Sequence, residues 1–364
     1  MEKNTKPNLW KRLQSWLHRH HKIVYIICGV LIVVVSALGV FFILNKKVAA
    51  PKPAVVAVKA PAPKPVIKYY SPLTGLLVAD SATTTQPVTA VMIENSPDAR
   101  PQSGIKNSGL VFEAIAEGGI TRFMVLYQQE KPQMIGPVRS LRIYDAEWLA
   151  AFNSGIAHVG GSAAALVEVR NGSYRDLDQF FNSSYYWRSS DRYSPHNVYT
   201  SFAKLDAMNA AKGFTSSSFT GFSRVDGKPS ATPTATQIAV HISGPTYDST
   251  YAYNATTNTY ARSQAGAPHL DREDGQITPS TIVAIRVDET SILQDGYREQ
   301  ITTIGSGQAT IFQNGTEQAV VWHKDSKAAQ MTFTDAVTGK DAPLVRGQTW
   351  VVAVPNDSGS VTWK

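Results

Sequence analysis

A run of 22 residues without a charge, residues 23–44, constrains this chain more than any other feature of its sequence. As an α-helix the run would be about 33 Å long, enough to cross the hydrocarbon core of a bilayer. Six Lys or Arg precede it, and Trp10 and Trp16 suit the membrane interface. The positive-inside bias then places the N-terminus in the cytoplasm and everything after the span outside. The sequence therefore predicts a single-pass protein of the cell membrane.

A cleaved signal peptide is the alternative interpretation of the same segment. Val48-Ala49-Ala50 supplies small residues for cleavage. However, the apolar run exceeds the roughly 7–15 residues of a signal-peptide core, which favours an uncleaved span. Cys28 lies inside the span after Ile27, which is not small, so a lipoprotein cleavage site is not indicated. Under either interpretation the rest of the chain is exported.

The net charge of +7 hides an asymmetry along the chain. Residues 1–70 carry 12 Lys or Arg and one acidic residue, whereas residues 71–364 carry 23 Lys or Arg and 27 acidic residues. Since nucleic-acid binding needs a basic face on the folded domain itself, this distribution argues against a nucleic-acid partner. The single Cys excludes a disulfide framework and a zinc site built on several thiolates.

The fold class expected from these patterns is α+β: an N-terminal membrane helix, then a mixed α/β layered domain, then a mainly β segment. Strand patterns (87–94, 110–116, 122–128, 134–137, 156–159) mix with helix patterns (143–153, 162–170, 202–211) before residue 214. After residue 236 short strand patterns dominate, and Asn314-Gly315 predicts a hairpin. The predicted organisation is a cytoplasmic basic tail (1–22), a transmembrane helix (23–44), a Pro/Ala/Lys linker (45–70), an α/β domain (71–214), a Ser/Thr-rich linker (215–236) and a mainly β domain (237–364).

Several motifs in the exported part are distinctive when taken together and in order. They are VMIENSPDARPQSGI, EAIAEGGITRFMVLY, IGPVRSLRIYDAEW, AHVGGSAAAL and SPHNVYTS, followed by YNATTNTYARSQ, TIGSGQATIFQNG, WHKDS and RGQTWVVAVP. With these motifs the chain resembles the YerB-like bacterial family, whose shared region is a domain of unknown function with an N-terminal and a C-terminal part. The resemblance implies an envelope location and often a lipoprotein anchor, from which this chain departs by carrying a span and a spacer. It implies no established activity.

A candidate anion site lies in the α/β domain. The glycine pair in His158-Val-Gly160-Gly161-Ser162 follows a strand pattern and opens a helix pattern, and helix N-termini favour negative charge. Arginine side chains suit phosphate or carboxylate groups bidentately. The alternative is an ordinary strand–helix turn, with the arginines paired to nearby carboxylates. The candidate ligand-binding residues are Arg100, Arg122, Arg139, Arg142, Gly160, Gly161, Ser162 and His196, and the acidic candidates are Glu94, Glu117 and Asp145.

The order RFMVLYQ–turn–MIGPVRSLR also looks like part of the exported LytR-CpsA-Psr enzymes. That resemblance implies arginines on a lipid-linked pyrophosphate and acids with a divalent metal, but it covers only two strands and the pair Arg139 and Arg142. The chain has no Gly-x-Ser-x-Gly elbow, no His-Glu-x-x-His, no P-loop and no dinucleotide fingerprint, so we expect no metal and no cofactor.

Two functions follow from these observations, and a structural scaffold, which predicts a broad exposed apolar patch, is a third interpretation. The first is a membrane-anchored extracytoplasmic protein that binds an anionic envelope polymer or a protein partner. The second is a phosphotransferase acting on a lipid-linked pyrophosphate wall precursor. The second requires a groove lined by Arg139, Arg142 and a carboxylate such as Asp145. Catalytic residues are not identified from the sequence, and whether the chain is an enzyme stays open.

Overall fold

The computed structural model describes residues 9–47, 67–293 and 298–364, and at 291–293 and 298 it describes the backbone alone. The chain divides into two compact units, residues 1–65 and 66–364. The start of the predicted tail, residues 1–8, and most of the predicted spacer, residues 48–66, lie outside the described residues.

Among its described residues the first unit contains two helices, α1 (Leu9–Arg19) and α2 (His21–Leu44). With 24 residues, α2 is about 36 Å long. Within the described part of the chain it is the one helix that is long and apolar enough to cross a membrane, and none of its residues is buried. An apolar helix over these residues is what the uncharged run predicts.

The second unit contains four α-helices, three short 3-10 helices (Pro97–Ala99, Ala150–Phe152 and Ser183–Tyr185) and 25 strands among the described residues. The α-helices are α3 (Ser81–Thr84), α4 (Ile143–Leu149), α5 (Ala163–Asn171) and α6 (Phe202–Ala211). The first nine strands are β1 (Tyr69–Tyr70), β2 (Leu77–Val78), β3 (Thr89–Glu94), β4 (Leu110–Glu117), β5 (Ile120–Tyr127), β6 (Gly155–His158), β7 (Arg175–Asp178), β8 (Trp187–Arg188) and β9 (Val198–Tyr199).

The remaining strands follow residue 215. They are β10 (Arg224–Val225), β11 (Gln237–His241), β12 (Ser249–Asn254), β13 (Thr259–Gln264), β14 (Ala267–Pro268), β15 (Leu270–Asp271), β16 (Gly275–Gln276), β17 (Thr281–Val287), β18 (Glu289–Leu293), β19 (Arg298–Ile301), β20 (Gly305–Gln313), β21 (Thr316–Lys324), β22 (Thr332–Asp335), β23 (Leu344–Val345), β24 (Thr349–Pro355) and β25 (Ser360–Trp363). The α+β class expected from the sequence is confirmed.

One mixed sheet of twelve strands runs through the whole second unit. Its main path is β22-β21-β20-β17-β24-β4-β5-β3-β6-β7, and β19 of the β18–β19 hairpin also touches β4. Strand β24 lies parallel to both β17 and β4, in register from Thr349↔Leu110 onward. The two segments on either side of residues 215–236 therefore share a sheet. The strand that joins them is β24, which has seven residues.

The large sheet is covered on both faces. Helices α4 and α5 contribute Trp148, Leu149 and Val169 to the core on one face. On the other face lie α6 and a five-stranded antiparallel sheet, β14-β13-β12-β11-β25, whose inward side chains include Ile238 and Val240. Burial on both faces explains why every residue of β3 and β24 is buried, as their continuous apolar sequences predict.

Local signals in the sequence explain several element ends. The Ser162 and Ser201 hydroxyls accept hydrogen bonds at the first turns of α5 and α6, as N-cap serines do. Asn314 and Gly315 both have positive φ, at 58° and 80°, and Gln313 pairs with Thr316 across them. The predicted two-residue hairpin between β20 and β21 is thereby confirmed.

The structure also departs from the sequence-based prediction. Residues 134–137 form only isolated bridges, at Ile135↔Thr200 and Ser103↔Gly136, because Gly136 has φ 147° and Pro137 has no N–H to donate. Strand β7 was not predicted because three of its four residues are charged. Within the predicted linker, β10 pairs with β23, and Phe222 is buried against Phe152 and Phe333.

Candidate functional site

The carboxyl ends of three parallel strands meet at one edge of the large sheet. Strands β3, β6 and β7 are neighbours in that order and end at Glu94, His158 and Asp178. Ligands of α/β proteins commonly bind at such an edge, because loops and polar side chains converge there. The predicted site residues all lie near this edge, but the structure sorts them into separate groups.

The first group, which we call the open cluster, consists of Glu94, Ser96, Arg139 and His196. The Glu94 carboxylate is buried, and its Oε1 lies 2.9 Å from Nδ1 of His196 and 3.2 Å from Nε of Arg139. The Ser96 hydroxyl donates to the same oxygen at 2.9 Å. One buried carboxylate oxygen thus collects three partners from three separate loops.

Two atoms inside the open cluster have no hydrogen-bond partner. Within the described part of the chain these are the buried Oε2 of Glu94 and the buried Nε of Arg139. The side chains of Arg139 and His196 keep 26% and 22% of their surface exposed. A cation held by a buried carboxylate while still reaching water can bind an anion.

The His196 ring is oriented by its carboxylate. Because an ionised carboxylate only accepts hydrogen bonds, Nδ1 of His196 is the donor to Glu94, and Nε2 is left facing the exposed Asp98 at 3.9 Å. The Ser96 hydroxyl lies on the Nδ1 side, 3.3 Å from that nitrogen. Activation of a serine requires the imidazole nitrogen that the carboxylate does not hold, so these three residues do not form a nucleophilic triad.

The second group, which we call the closed cluster, consists of Glu117, Arg122, Arg142 and Asp145. Oε1 of Glu117 lies 3.1 Å from Nη2 of Arg122, and its Oε2 accepts Nε–H of Arg142 at 2.9 Å. Both arginines also donate to backbone carbonyls, Arg122 to Ser140 and Arg142 to Leu141. Asp145 accepts the backbone N–H of Arg142 at 2.8 Å, which caps the start of α4.

The electrostatics of the closed cluster follow from its burial. Burial alone would raise the pKa of Glu117, but the charges of Arg122 and Arg142 hold it below its usual range. Burial raises the pKa of Asp145 to about 6, against the opposing effect of its backbone hydrogen bond. Its arginines are buried, and Glu117 or a backbone oxygen accepts from each of them, although Nε of Arg122 has no partner among the described residues. These bonds hold β4, β5 and α4 together.

The glycine turn at the start of α5 already binds a carboxylate of the protein itself. The backbone N–H of Gly160 donates to Oδ1 of Asp178 at 3.0 Å, and Oδ2 of Asp178 accepts Arg170 at 2.9 Å. Gly160 has φ 58°, and a Cβ on Gly161 would lie 3.0 Å from the Leu141 carbonyl oxygen. Ser162 caps the helix. The glycine pair and Ser162 are therefore accounted for by chain geometry and an internal carboxylate.

Arg100, the remaining predicted arginine, connects the loop after β3 to the C-terminal segment. Its guanidinium donates to the backbone oxygens of Asn95 and Thr246 and lies over the ring of Tyr247, with 5.4 Å to the ring centroid. Arg192, which the sequence did not single out, donates to the backbone oxygens of Asp98 and Pro101 in the same loop. Both arginines fix the loop that follows Glu94.

A buried polar network that the sequence did not reveal lies below this loop. Nη2 of Arg262 contacts both carboxylate oxygens of Glu113, at 3.1 and 2.8 Å, and the indole N–H of Trp350 donates to Glu113 at 3.0 Å. Burial, with Arg262 alongside, lowers the pKa of His269 well below its usual range. The neutral ring accepts from Arg262 and donates to Gln102, which donates in turn to the backbone oxygen of Glu94.

Signals for the missed residues existed in the sequence motifs. Ser96 and Asp98 follow Glu94 in ENSPDAR, and polar residues directly after a buried strand are candidates for a site at its carboxyl end. Nothing local could have paired Glu113 with Arg262, which are 149 residues apart. Within the described ranges no group of three His, Cys, Asp or Glu side chains could hold a metal ion.

Comparisons with known proteins match both halves of the second unit. "Putative lipoprotein YerB" of Bacillus subtilis (strain 168) is 33% identical over 301 residues, which cover 81% of this chain and 89% of that protein. The crystal structure of YerB protein from Bacillus subtilis matches with a TM-score of 0.72 at 30% identity, over 81% of this chain and 100% of that chain.

The match to a protein family covers the same region. Residues 73–215 match "Protein of unknown function (DUF3048) N-terminal domain". Residues 238–351 match the corresponding C-terminal domain. The YerB-like resemblance of the motifs is confirmed, and the chain belongs to the DUF3048 family.

Proposed function

We propose that this protein is a membrane-tethered extracytoplasmic protein whose folded domain binds an anionic ligand of the cell envelope at the open cluster. The ligand's negative charge is recognised by Arg139 and His196, while Glu94 holds both side chains in place. Phosphate or carboxylate groups on an envelope polymer, or on the surface of a protein partner, have the required chemistry.

Membrane anchoring is supported by α2 and by the B. subtilis relative, whose name describes a lipoprotein. The outward orientation of the domain is supported by the basic residues that precede the span. A C28S/V337C variant tests the orientation, because Val337 is 92% exposed. We expect a membrane-impermeant maleimide to label Cys at this position in intact cells. Labelling only after lysis would contradict the proposed topology.

The observation that carries the binding proposal is the contrast within the open cluster. Its carboxylate is 4% exposed, whereas its two basic side chains are about a quarter exposed. The structure shows no hydrogen bond from the Arg139 guanidinium to a described residue, and Nε2 of His196 lies 3.9 Å from the exposed Asp98. An incoming anion can contact these nitrogens without breaking any of the cluster's own hydrogen bonds. No rearrangement of the fold is needed for binding.

The phosphotransferase alternative finds less support in the geometry. It requires Arg139, Arg142 and a carboxylate such as Asp145 to line one groove. Arg142 and Asp145 are instead buried, and their polar atoms bond to Glu117, Leu141 and each other. No specific observation favours phosphoryl transfer, and we do not propose it.

Isothermal titration calorimetry on the full-length chain in detergent micelles, with inorganic diphosphate as the probe, tests the binding proposal. We expect saturable binding that the R139A and H196A variants each weaken at least about tenfold, the effect of losing a charged hydrogen bond. The matched control is R346A, because Arg346 has a similar exposure and also pairs with one carboxylate, Asp226. Equal weakening in R346A, or no binding by the wild type at millimolar diphosphate, would refute the proposal.

A further inference from the structure

A cleft of about 300 Å³ lies beside the amino-terminal ends of β6 and β7. The open cluster lies at the opposite, carboxyl-terminal ends of these parallel strands. Its walls come from the end of α4, from the residues that precede β6 and β7, and from the loop between β21 and β22. Its volume is at the lower limit of small-molecule pockets.

Apolar atoms make up most of the cleft surface. Leu149 and Ala150 form one wall, and the ring of Tyr174 forms another. The Tyr174 hydroxyl is held by Glu168 at 2.9 Å, which fixes the ring. Ala328 also lines the cleft, on a loop that the buried Lys324 holds by donating to the backbone oxygens of Lys327 and Ala329. Both sides of the cleft are thus fixed before any ligand binds.

One basic side chain of the cleft has no acidic partner. Arg175 donates to the Ser216 backbone oxygen at 2.7 Å and lies over the ring of Phe214. It is half-buried, and no described carboxylate lies within 4 Å of its guanidinium. The second basic residue, Lys327, differs because Glu168 and Glu147 balance its charge. A half-buried cation without a counter-ion favours binding of an anion.

A polar group in the same wall is also unsatisfied. Ser154 is 5% exposed and lines the cleft, and its hydroxyl has no hydrogen-bond partner among the residues that the structure describes. Buried hydroxyl groups without partners are uncommon, so each one requires an explanation. A ligand oxygen would supply the missing partner.

We infer that this cleft binds a small monocarboxylate with a compact apolar body, whose carboxylate pairs with Arg175 and bonds to the Ser154 hydroxyl while its apolar part packs on Leu149 and Tyr174. A single uncompensated arginine matches a single negative charge. The limited volume and apolar walls match a ring or a short branched chain. The site is separate from the open cluster and does not depend on the proposed function.

Benzoate is a suitable probe, measured by calorimetry and by the melting temperature of the full-length chain in detergent micelles. We expect saturable binding of benzoate, with acetate and benzyl alcohol each binding at least about tenfold more weakly, because the first lacks the apolar body and the second lacks the charge. Equal binding of benzoate and benzyl alcohol would overturn the assignment of a carboxylate site.

Three variants locate the site. We expect R175A to weaken benzoate binding at least about tenfold and S154A about two- to tenfold. Because R175A also loses the bond to Ser216, A328F serves as a second variant: it fills the exposed side of the cleft, leaves Arg175 in place, and is expected to abolish binding. The R139A variant should bind benzoate like the wild type. Unchanged binding in A328F, or loss of binding in R139A but not in R175A, would refute the inference.

Discussion

Two Glu–Arg pairs at the same end of the large sheet differ in what surrounds them. Glu113 and Arg262 are 1% and 0% exposed, and both oxygens of Glu113 have partners. Glu94 and Arg139 share one oxygen contact at 3.2 Å, with the second oxygen unpartnered among the described residues and a quarter of the arginine exposed. A pair whose atoms are all satisfied inside the protein stabilises the fold. A pair with spare donors at the surface is available to a ligand.

The largest expected effect comes from removing a charge from the fully buried pair. The E113Q variant leaves Arg262 buried without its carboxylate, so the free energy of unfolding should fall by about 3–5 kcal/mol. Urea unfolding followed by Trp fluorescence measures this. A loss below about 1 kcal/mol would remove the distinction between the two pairs.

The closed cluster is expected to produce a pH dependence of stability. Burial raises the pKa of Asp145 to about 6, above the roughly 3.9 expected in the unfolded chain. The folded state therefore binds more protons between these values, and this residue's contribution to stability falls as pH rises from about 4 to about 6. The total change should be about 2–3 kcal/mol.

The D145N variant isolates that contribution. Asn does not ionise, and its side-chain oxygen can still accept the backbone N–H of Arg142. The difference in unfolding free energy between wild type and D145N should therefore change across pH 4–6 and level off above about pH 6. A difference that stays constant with pH would contradict the raised pKa of Asp145.

A charge change inside the open cluster tests the comparison through ligand affinity. The E94Q variant keeps the acceptor for His196 but removes the negative charge beside Arg139, so affinity for diphosphate should rise about tenfold. Calorimetry measures the change. The control is E130Q, which removes a carboxylate whose one hydrogen bond among the described residues is to the backbone N–H of Gln128. Weaker binding in E94Q would mean that the carboxylate itself contributes to ligand recognition.

The smallest expected effect on stability is that of R139A. Because Arg139 is partly exposed, its ion pair with Glu94 should contribute about 1 kcal/mol or less to the free energy of unfolding. Urea unfolding of R139A beside E113Q checks this. A loss as large as that in E113Q would mean that Arg139 is a structural residue.

The sequence predicted the elements of this fold better than their arrangement. Strands such as β3, β17 and β24 were evident because burial on both faces requires continuous β-branched and apolar residues. Strand β7 was missed because its charged residues bond to His158, Gly160 and Arg170 at the sheet edge. The position of β24 between β17 and β4 could not be predicted, since strand order over such distances depends on packing of the whole chain.

The candidate site shows the same limit. Arg139 and Arg142 are three residues apart, and the sequence suggested that they act together. The structure directs Arg139 to Glu94 and Arg142 to Glu117, because one residue lies in an extended segment beside β3 and the other caps α4. His196 reaches Glu94 across 102 residues of sequence, a contact that only the fold creates.

Nuclear magnetic resonance of histidine rings tests the central claim most directly. In the full-length chain labelled with isotope at histidine, the H196Q variant identifies the His196 signals. We expect inorganic diphosphate to shift these signals to saturation, to leave those of His323 unchanged, and to have no effect on His196 in R139A. If diphosphate binds the wild type and the His196 signals do not move, the ligand lies elsewhere and the open cluster is not the binding site.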